Sequence, residues 1–318
     1  MTDFPEQLPE PQQTLTEPTA APQPEPATNA PESKDILLFQ QFFAPPPPSE
    51  ERIPHIGHFG ILILLALSGM LTAILLARAA LHFRLFGITT LEEAATDIHY
   101  TLGTEGIFYL ITFTGAMLLF PLLWHKSFFK GIQWNVYAAM RRSGYLVGAA
   151  LACFGLALVN GIFLPGPENT PIDKLFRAPG AAWLLFAFGV TFAPFFEEVA
   201  FRGFMLPALA TAFDWSVEQA TGRLPLPLHR NGHPRWSLPA MATATLTTSL
   251  LFALMHADQT GKALGPFLLL TFVSCVLCTI RLMTRSLAAS VAVHACYNFL
   301  LFSLMFLGTS GFRHLENI

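Results

Sequence analysis

Long apolar runs are the feature that most constrains this chain. Most are about 20 residues long, which is the length that a helix needs to cross the hydrocarbon core of a bilayer, whereas the fourth is too long for one simple crossing. The chain is 53% hydrophobic and only 12% charged, whereas a soluble domain carries about 25% charged residues. The runs predict an all-α, polytopic membrane helical bundle with about seven spans, in a range of six to eight. The predicted spans are Phe59–Ala80, Ile107–Trp124, Tyr145–Leu164, Ala181–Leu209, Leu238–Met255, Leu264–Leu282 and Leu287–Leu307.

Composition divides the chain into four parts. Residues 1–55 hold 13 of the 25 prolines, and such a segment cannot bury enough apolar surface to fold, so a disordered Pro/Glu-rich tail is predicted. Residues 56–165 carry the first three spans, residues 181–307 carry the other four, and residues 308–318 form a short C-terminal tail. No basic patch or base-stacking module is present, so no nucleic-acid partner is expected.

The distribution of basic residues orients the predicted spans. The second connection holds Lys126, Lys130, Arg141 and Arg142 with no acidic residue, the fourth holds Arg223, Arg230 and Arg235, and the sixth is flanked by Arg281 and holds Arg285. The first and third connections mix basic with acidic residues. Because positive charge marks the cytoplasmic side, the second, fourth and sixth connections and the N-terminus are predicted to be cytoplasmic. A bacterial inner membrane is the expected location.

The fourth run contains a charged cluster in the stretch PFFEEVAFRGF, which begins at Pro194. An ionisable group at membrane depth costs about 2.5–3.5 kcal/mol, so Glu197, Glu198 and Arg202 need an explanation. Glu198 and Arg202 are four residues apart and can pair on a helix, whereas Glu197 points about 140° away from Arg202 and can face a cavity. A structural ion pair alone would leave Glu197 without a partner. Pro194 predicts a kink.

Polar side chains also occur in the fifth and seventh runs. LLFALMHA places His256 at the end of the fifth run, directly after Met255, and VAVHACYNFLL places His294 and Asn298 four residues apart on one face of the seventh. A single histidine in a span is commonly a packed, hydrogen-bonded side chain. Two imidazoles and an amide together with the Glu197 carboxylate supply a base and hydrogen-bond donors, which are the groups that hydrolysis of an acyl bond requires.

Three short motifs, in this order, resemble those of the CPBP family of intramembrane proteases. EEVAFR resembles E-E-x-x-x-R, FALMH resembles F-x-x-x-H, and HACYN resembles H-x-x-x-N. The family includes type II CAAX prenyl endopeptidases and bacteriocin-immunity proteins. The resemblance covers about residues 181–307 and implies a catalytic membrane domain there. The first three spans carry no signature of the family.

The resemblance also implies roles for four residues. Glu197, helped by His256, would activate water, and His294 with Asn298 would stabilise the oxyanion. The implied activity is that of an intramembrane endopeptidase, a hydrolase that cleaves membrane-associated proteins or peptides. The natural substrate, and whether it is prenylated, is not specified by these motifs.

Structural support and metal binding are two further implications of the resemblance. Glu198 and Arg202 would hold the helix of the first motif in place. The family has also been described as metal-dependent, and Glu197, His256 and His294 could supply three ligands to zinc, with water as the fourth. The sequence lacks the compact H-E-x-x-H motif, so a site without a cofactor is the preferred interpretation and a zinc metalloendopeptidase is the alternative.

Two other classes of function fit the same polar residues. A transporter or channel can line its pathway with charges at membrane depth, although no inverted repeat or pair of broken helices supports this reading. A non-catalytic relative that binds a membrane partner would keep the same residue types. The bilayer itself is an expected partner in each case.

The position of His256 conflicts with a simple set of parallel spans. His256 lies about 27 Å along a helix that starts at Leu238. His294 lies only about 10 Å from the start of the seventh run at Leu287, so His256 would be the deeper of the two. The fifth helix is therefore predicted to project from the membrane or to tilt strongly. Residues 257–261 would then be irregular chain, allowed only beside protein or a wet cavity.

Overall fold

The computed structural model describes residues 52–167, 170–178, 180–229 and 232–314. These ranges form helices joined by turns and contain no strand, so the predicted all-α fold is confirmed. Seven helices are long and apolar enough to cross a membrane, as predicted. They are α1 (Ile56–His82), α2 (Ile98–Trp124), α3 (Ser143–Phe163), α4 (Ala181–Thr221), α5 (Leu238–Met255), α6 (Leu264–Thr284) and α7 (Leu287–Gly308). Shorter helical segments lie in the connections: Leu85–Gly87, Leu91–Thr96, Phe128–Gly131, Val136–Met140 and Pro171–Phe176.

Most of the predicted tail lies outside the described residues, because the description starts at residue 52. The predicted limits of α5 are confirmed, and those of α1, α3, α6 and α7 differ from the structure by three residues or fewer. Larger differences occur at the start of α2 and at the end of α4. In both places the helix continues into polar sequence.

The second helix starts nine residues before the predicted Ile107. Asp97 caps its N-terminus, because the Asp97 carboxylate accepts hydrogen bonds from the backbone N–H groups of His99 and Tyr100. A search for apolar runs overlooks such a start, since the first turns of α2 are mixed in polarity. The longer helix includes Glu105, which the predicted span left out.

The fourth helix continues to Thr221 rather than ending at the predicted Leu209. Its last turns are amphipathic, and Glu218 pairs with Arg52 at 2.8 Å. The helix ends at Gly222, whose φ of 67° is the left-handed conformation that glycine adopts at helix C-termini. At about 1.5 Å per residue, 41 residues exceed the length of one crossing, as predicted.

A break and a π-helical stretch interrupt α4. The break falls at Thr191, whose φ of −116° and ψ of −68° separate Ala181–Val190 from Phe192–Glu198. Pro194 explains the break, because its ring lacks an N–H for the carbonyl of Val190 and clashes with that group. The predicted kink is thereby confirmed. Residues Val199–Met205 are π-helical, and such stretches inside α-helices occur frequently at functional sites.

The fourth helix lies at the centre of the bundle. It contacts α1, α2, α5, α6 and α7, and α7 also packs against α3 and α6. Large apolar side chains on the outside of the bundle are exposed, among them Leu64, Leu118 and Ile162. This arrangement suits a lipid environment, and it places the charged segment of α4 inside the helical assembly.

Candidate active site

Glu198 and Arg202 form a buried ion pair within α4. Arg202 Nη1 donates to Glu198 Oε1 at 2.8 Å, and both side chains are fully buried. Arg202 Nη2 donates to the Oγ and the carbonyl oxygen of Ser274 in α6, at 2.6 and 3.3 Å. The predicted pairing is therefore present, and it ties α4 to α6 as well as closing one turn of α4.

Phe252 connects this ion pair to His256. Its ring lies 4.7 Å from Arg202 Cζ, which is a cation–π contact, and 4.5 Å from the imidazole of His256. The backbone oxygen of Phe252 is 2.8 Å from His256 Nδ1. Because a carbonyl oxygen only accepts, Nδ1 of His256 carries a proton. Nε2, the other ring nitrogen, faces away from this carbonyl.

The imidazole of His294 is oriented in the same way by a carboxylate. His294 Nδ1 lies 3.0 Å from Glu198 Oε1, so Nδ1–H donates to that oxygen. Ser290, one turn earlier on α7, donates its hydroxyl to Glu198 Oε2. Glu198 thus binds Arg202 on its own helix and two side chains on α7, and it fixes the orientation of His294 relative to α4.

Glu197 lies between the two oriented imidazoles. Its Oε1 is 3.8 Å from His256 Nε2, and its Oε2 is 3.8 Å from His294 Nε2. About 17% of the Glu197 side chain is exposed, whereas Glu198 is fully buried. The two adjacent glutamates therefore have the different surroundings that the helical spacing predicted. Contacts longer than 3.5 Å between polar groups leave room for a bridging water or a substrate group.

Asn298 lies one turn beyond His294 on α7. Its Nδ2 donates to the backbone oxygen of Gly189 at 2.8 Å, next to the break in α4 at Thr191. An amide nitrogen carries two protons, so this bond leaves one N–H for another acceptor. Asn298 consequently also holds the end of the first segment of α4 against α7.

The turns after α5 position His256. The helix ends at Met255, and residues 257–261 form turns in which Thr260 N–H donates to the backbone oxygen of His256. The predicted irregular chain is present. Because α5 ends here, the His256 side chain can reach back toward α4.

Glu197, His256 and His294 could bind zinc only if their ligand atoms converged on one point. Within the described ranges, no group of three or more histidine, cysteine, aspartate or glutamate residues converges closely enough to hold a metal ion. The three residues of the zinc alternative, Glu197, His256 and His294, therefore do not form a metal site as placed, and no mechanistic step below uses a metal. The metal dependence itself stays a prediction for measurement.

Four polar residues near the site were missed by the sequence analysis. Ser274 and Ser290 bind the buried ion pair, and small hydroxyl residues in apolar runs gave no distinct signal. Glu105 and Tyr109 on α2 lie within electrostatic reach of Glu197. Tyr109 donates its hydroxyl to Glu105 Oε1 at 2.9 Å and stacks on Phe196 at 4.9 Å. A glutamate just before an apolar run was the available signal for Glu105.

Fold and site together define a polytopic membrane protein with a buried carboxylate–histidine cluster. Residues 179–300 match the family model described as type II CAAX prenyl endopeptidase Rce1-like. This segment, which is less than half of the chain, is similar to that family. The match confirms the resemblance predicted from the three motifs, and all the motif residues lie inside it. No curated protein and no solved structure matches the chain significantly. The chain is an integral membrane protein with a CAAX-protease-like domain.

Proposed function

We propose that this protein is an intramembrane endopeptidase that hydrolyses membrane-associated proteins or peptides with water activated by Glu197. The observation that carries the proposal is the position of the Glu197 carboxylate, 3.8 Å from the Nε2 atoms of both His256 and His294. Hydrogen bonds at Nδ1 orient both imidazoles. The backbone carbonyl of Phe252 orients His256, and the buried carboxylate of Glu198 orients His294. Preoriented groups of this kind are what general base catalysis requires.

In the proposed first step, Glu197 removes a proton from a water molecule. His256 supports this step, because its Nδ1–H is bound to Phe252 and its Nε2 faces the same space as the Glu197 carboxylate. The resulting hydroxide attacks the scissile carbonyl carbon and forms a tetrahedral intermediate. Glu197 then returns the proton to the leaving amine, which breaks the carbon–nitrogen bond.

His294 and Asn298 are proposed to bind the oxyanion of that intermediate. Asn298 retains one amide N–H beside its bond to Gly189. His294 can donate from Nε2 in its imidazolium form, since Nδ1–H is already bound to Glu198.

The test is cleavage of a peptide library by full-length protein purified in detergent, followed by mass spectrometry. Glu197→Gln keeps the size of the side chain and removes the base, so we expect cleavage to disappear while folding is retained. Glu92→Gln, on the exposed short helix Leu91–Thr96, is the matched control and should cleave like the wild type. Normal turnover by Glu197→Gln would refute the mechanism.

The bacterial inner membrane and a cytoplasmic N-terminus remain part of the proposal. They are supported by the basic second, fourth and sixth connections. Reporter fusions at the two ends of the protein test the orientation: an N-terminus in the cytoplasm and a C-terminus on the other side are expected. Both ends on one side would contradict the seven-span topology.

A further inference from the structure

A second polar region lies at one end of the bundle, among the basic connections. Two adjoining cavities of about 740 and 510 Å³ share Gln133, Pro234 and Arg285 in their walls. The cations that line them come from the second, fourth and sixth connections and from the end of α6. They are Lys126, Lys130, Arg235, Arg281 and Arg285, and His229 and His233 line the same space.

The charge in these cavities is one-sided. No carboxylate side chain of the described residues lines either cavity. A concave surface that carries several cations and no anion concentrates the positive potential and attracts anionic ligands. The catalytic cluster of Glu197, His256 and His294 contributes no residue to these walls, so this is a separate site.

Arg281 is the buried member of the group. It is 2% exposed, and its guanidinium donates to Gln133 Oε1 at 2.8 Å and to the backbone oxygen of Ile132 at 3.3 Å. Its Nε has no hydrogen-bond partner, and it takes part in none of the ion pairs found across the described residues. Its hydrogen-bond acceptors are neutral, and the charge of Glu198 acts on it only through space. A buried cation in such surroundings is costly unless a further anion offsets its charge.

The larger cavity also has an apolar wall that faces outward. Met241 and Leu246 of α5 and Leu282 of α6 line it, and Leu246 is 54% exposed on the outside of the bundle. Basic pockets between transmembrane helices on the cytoplasmic side are suited to lipid head groups. We propose that these cavities bind the phosphate group of an anionic phospholipid, whose acyl chain extends along α5 and α6.

The first test is binding of phosphatidylglycerol to the full-length protein in neutral detergent, with native mass spectrometry and thermal unfolding as the two measurements. We expect one lipid to bind, and the melting temperature to rise by roughly 5 °C at about a hundredfold excess over the dissociation constant. Phosphatidylcholine is the neutral control. Equal binding of the two lipids would overturn the proposal.

Variants of exposed cations show whether the cavity is the binding site. The double variant Arg235→Gln/Arg285→Gln should bind phosphatidylglycerol at least about tenfold more weakly, because charge-assisted contacts to phosphate are lost. Lys262→Gln, in the connection between α5 and α6, is the control and should bind like the wild type. Unchanged affinity in the double variant would place the lipid elsewhere and refute the assignment.

A test with inorganic phosphate shows whether the cavities bind a free phosphate ion or the phosphate group of a lipid. If phosphate at millimolar concentration raises the melting temperature and competes with the lipid, the cavity takes a free phosphate ion. If only the lipid does so, the acyl chain contributes and the ligand is a membrane lipid. Both outcomes support phosphate binding at Arg281. The absence of an effect from both probes would contradict it.

The reactivity of a thiol in the cavity wall tests lipid binding without any change to the arginines. Cys275 lines the larger cavity and Cys296 does not, and both are free and partly exposed. A bound acyl chain should slow the reaction of Cys275 with a small maleimide and leave Cys296 unaffected. An unchanged Cys275 rate at saturating phosphatidylglycerol would exclude an acyl chain from this wall.

Discussion

The buried ion pair of α4 predicts a large loss of stability in Arg202→Leu. The substitution removes the 2.8 Å bond to Glu198, the 2.6 Å bond to Ser274 and the cation–π contact with Phe252 at 4.7 Å. It leaves Glu198 fully buried with only Ser290 and His294 as partners. Breaking one side of a buried pair costs about 3–5 kcal/mol, because the remaining buried charge loses its closest opposite charge.

The neighbouring glutamate provides the internal comparison. Glu197 is partly exposed, and its nearest charged partners are 3.8 Å away, so Glu197→Gln should change the free energy of unfolding by less than about 1 kcal/mol. Glu198→Gln should resemble Arg202→Leu, since it leaves Arg202 buried without its carboxylate. The double variant Glu198→Gln/Arg202→Leu should lose less than the sum of the single variants, because neither charge remains.

Thermal unfolding in detergent measures these differences. For a domain of this size, 1 kcal/mol corresponds to about 2 °C in melting temperature. We therefore expect Arg202→Leu and Glu198→Gln to melt about 6–10 °C below the wild type, and Glu197→Gln within about 2 °C of it. Equal melting temperatures for the three single variants would refute the division between a supporting pair and a free carboxylate.

Three further predictions concern catalysis. Asn298→Ala should lower kcat by about 10²–10³ with little change in KM, since one oxyanion donor is lost; a larger effect on KM would indicate that its bond to Gly189 is the main role. Elemental analysis decides the metal question: near-zero zinc in an active preparation removes the zinc alternative, whereas one zinc per protein, lost in both His256→Ala and His294→Ala, overturns the metal-free mechanism. Glu105→Gln should lower kcat/KM for peptides with a basic residue at the scissile bond about tenfold more than it lowers kcat/KM for neutral peptides, because a carboxylate near the site attracts cations. An equal decrease in kcat/KM for both peptide classes would contradict a role of Glu105 in recognition.

Local periodicity determined much of the fold. The number of spans and most of their limits follow from run length and apolar content, because crossing a bilayer sets a minimum length for each helix. The pair of Glu198 and Arg202 and the kink caused by Pro194 also follow from helix geometry within one segment. These features could be predicted because every atom that they need lies within about two turns of one helix.

The motifs indicated which residues form the site but not how they contact one another. His294 is bound to Glu198 rather than directly to Glu197, and Asn298 is bound to Gly189 at the break in α4. Tyr109, on α2 and outside the segment that carries the motifs, stacks on Phe196 beside Glu197. None of these contacts is visible in the spacing of residues along the chain.

Only the tertiary structure could decide these contacts, because each joins separate helices. Which side chains meet between α4 and α7 depends on the rotation of each helix about its axis and on its offset along that axis. Packing sets both quantities. Gly203 shows the dependence, because a Cβ at this position would lie 3.3 Å from the side chain of Leu287 at the start of α7. The sequence by itself therefore determined the spans, the local ion pair and the residue types of the site, whereas helix packing decided how closely the Glu197 carboxylate approaches the two histidine Nε2 atoms.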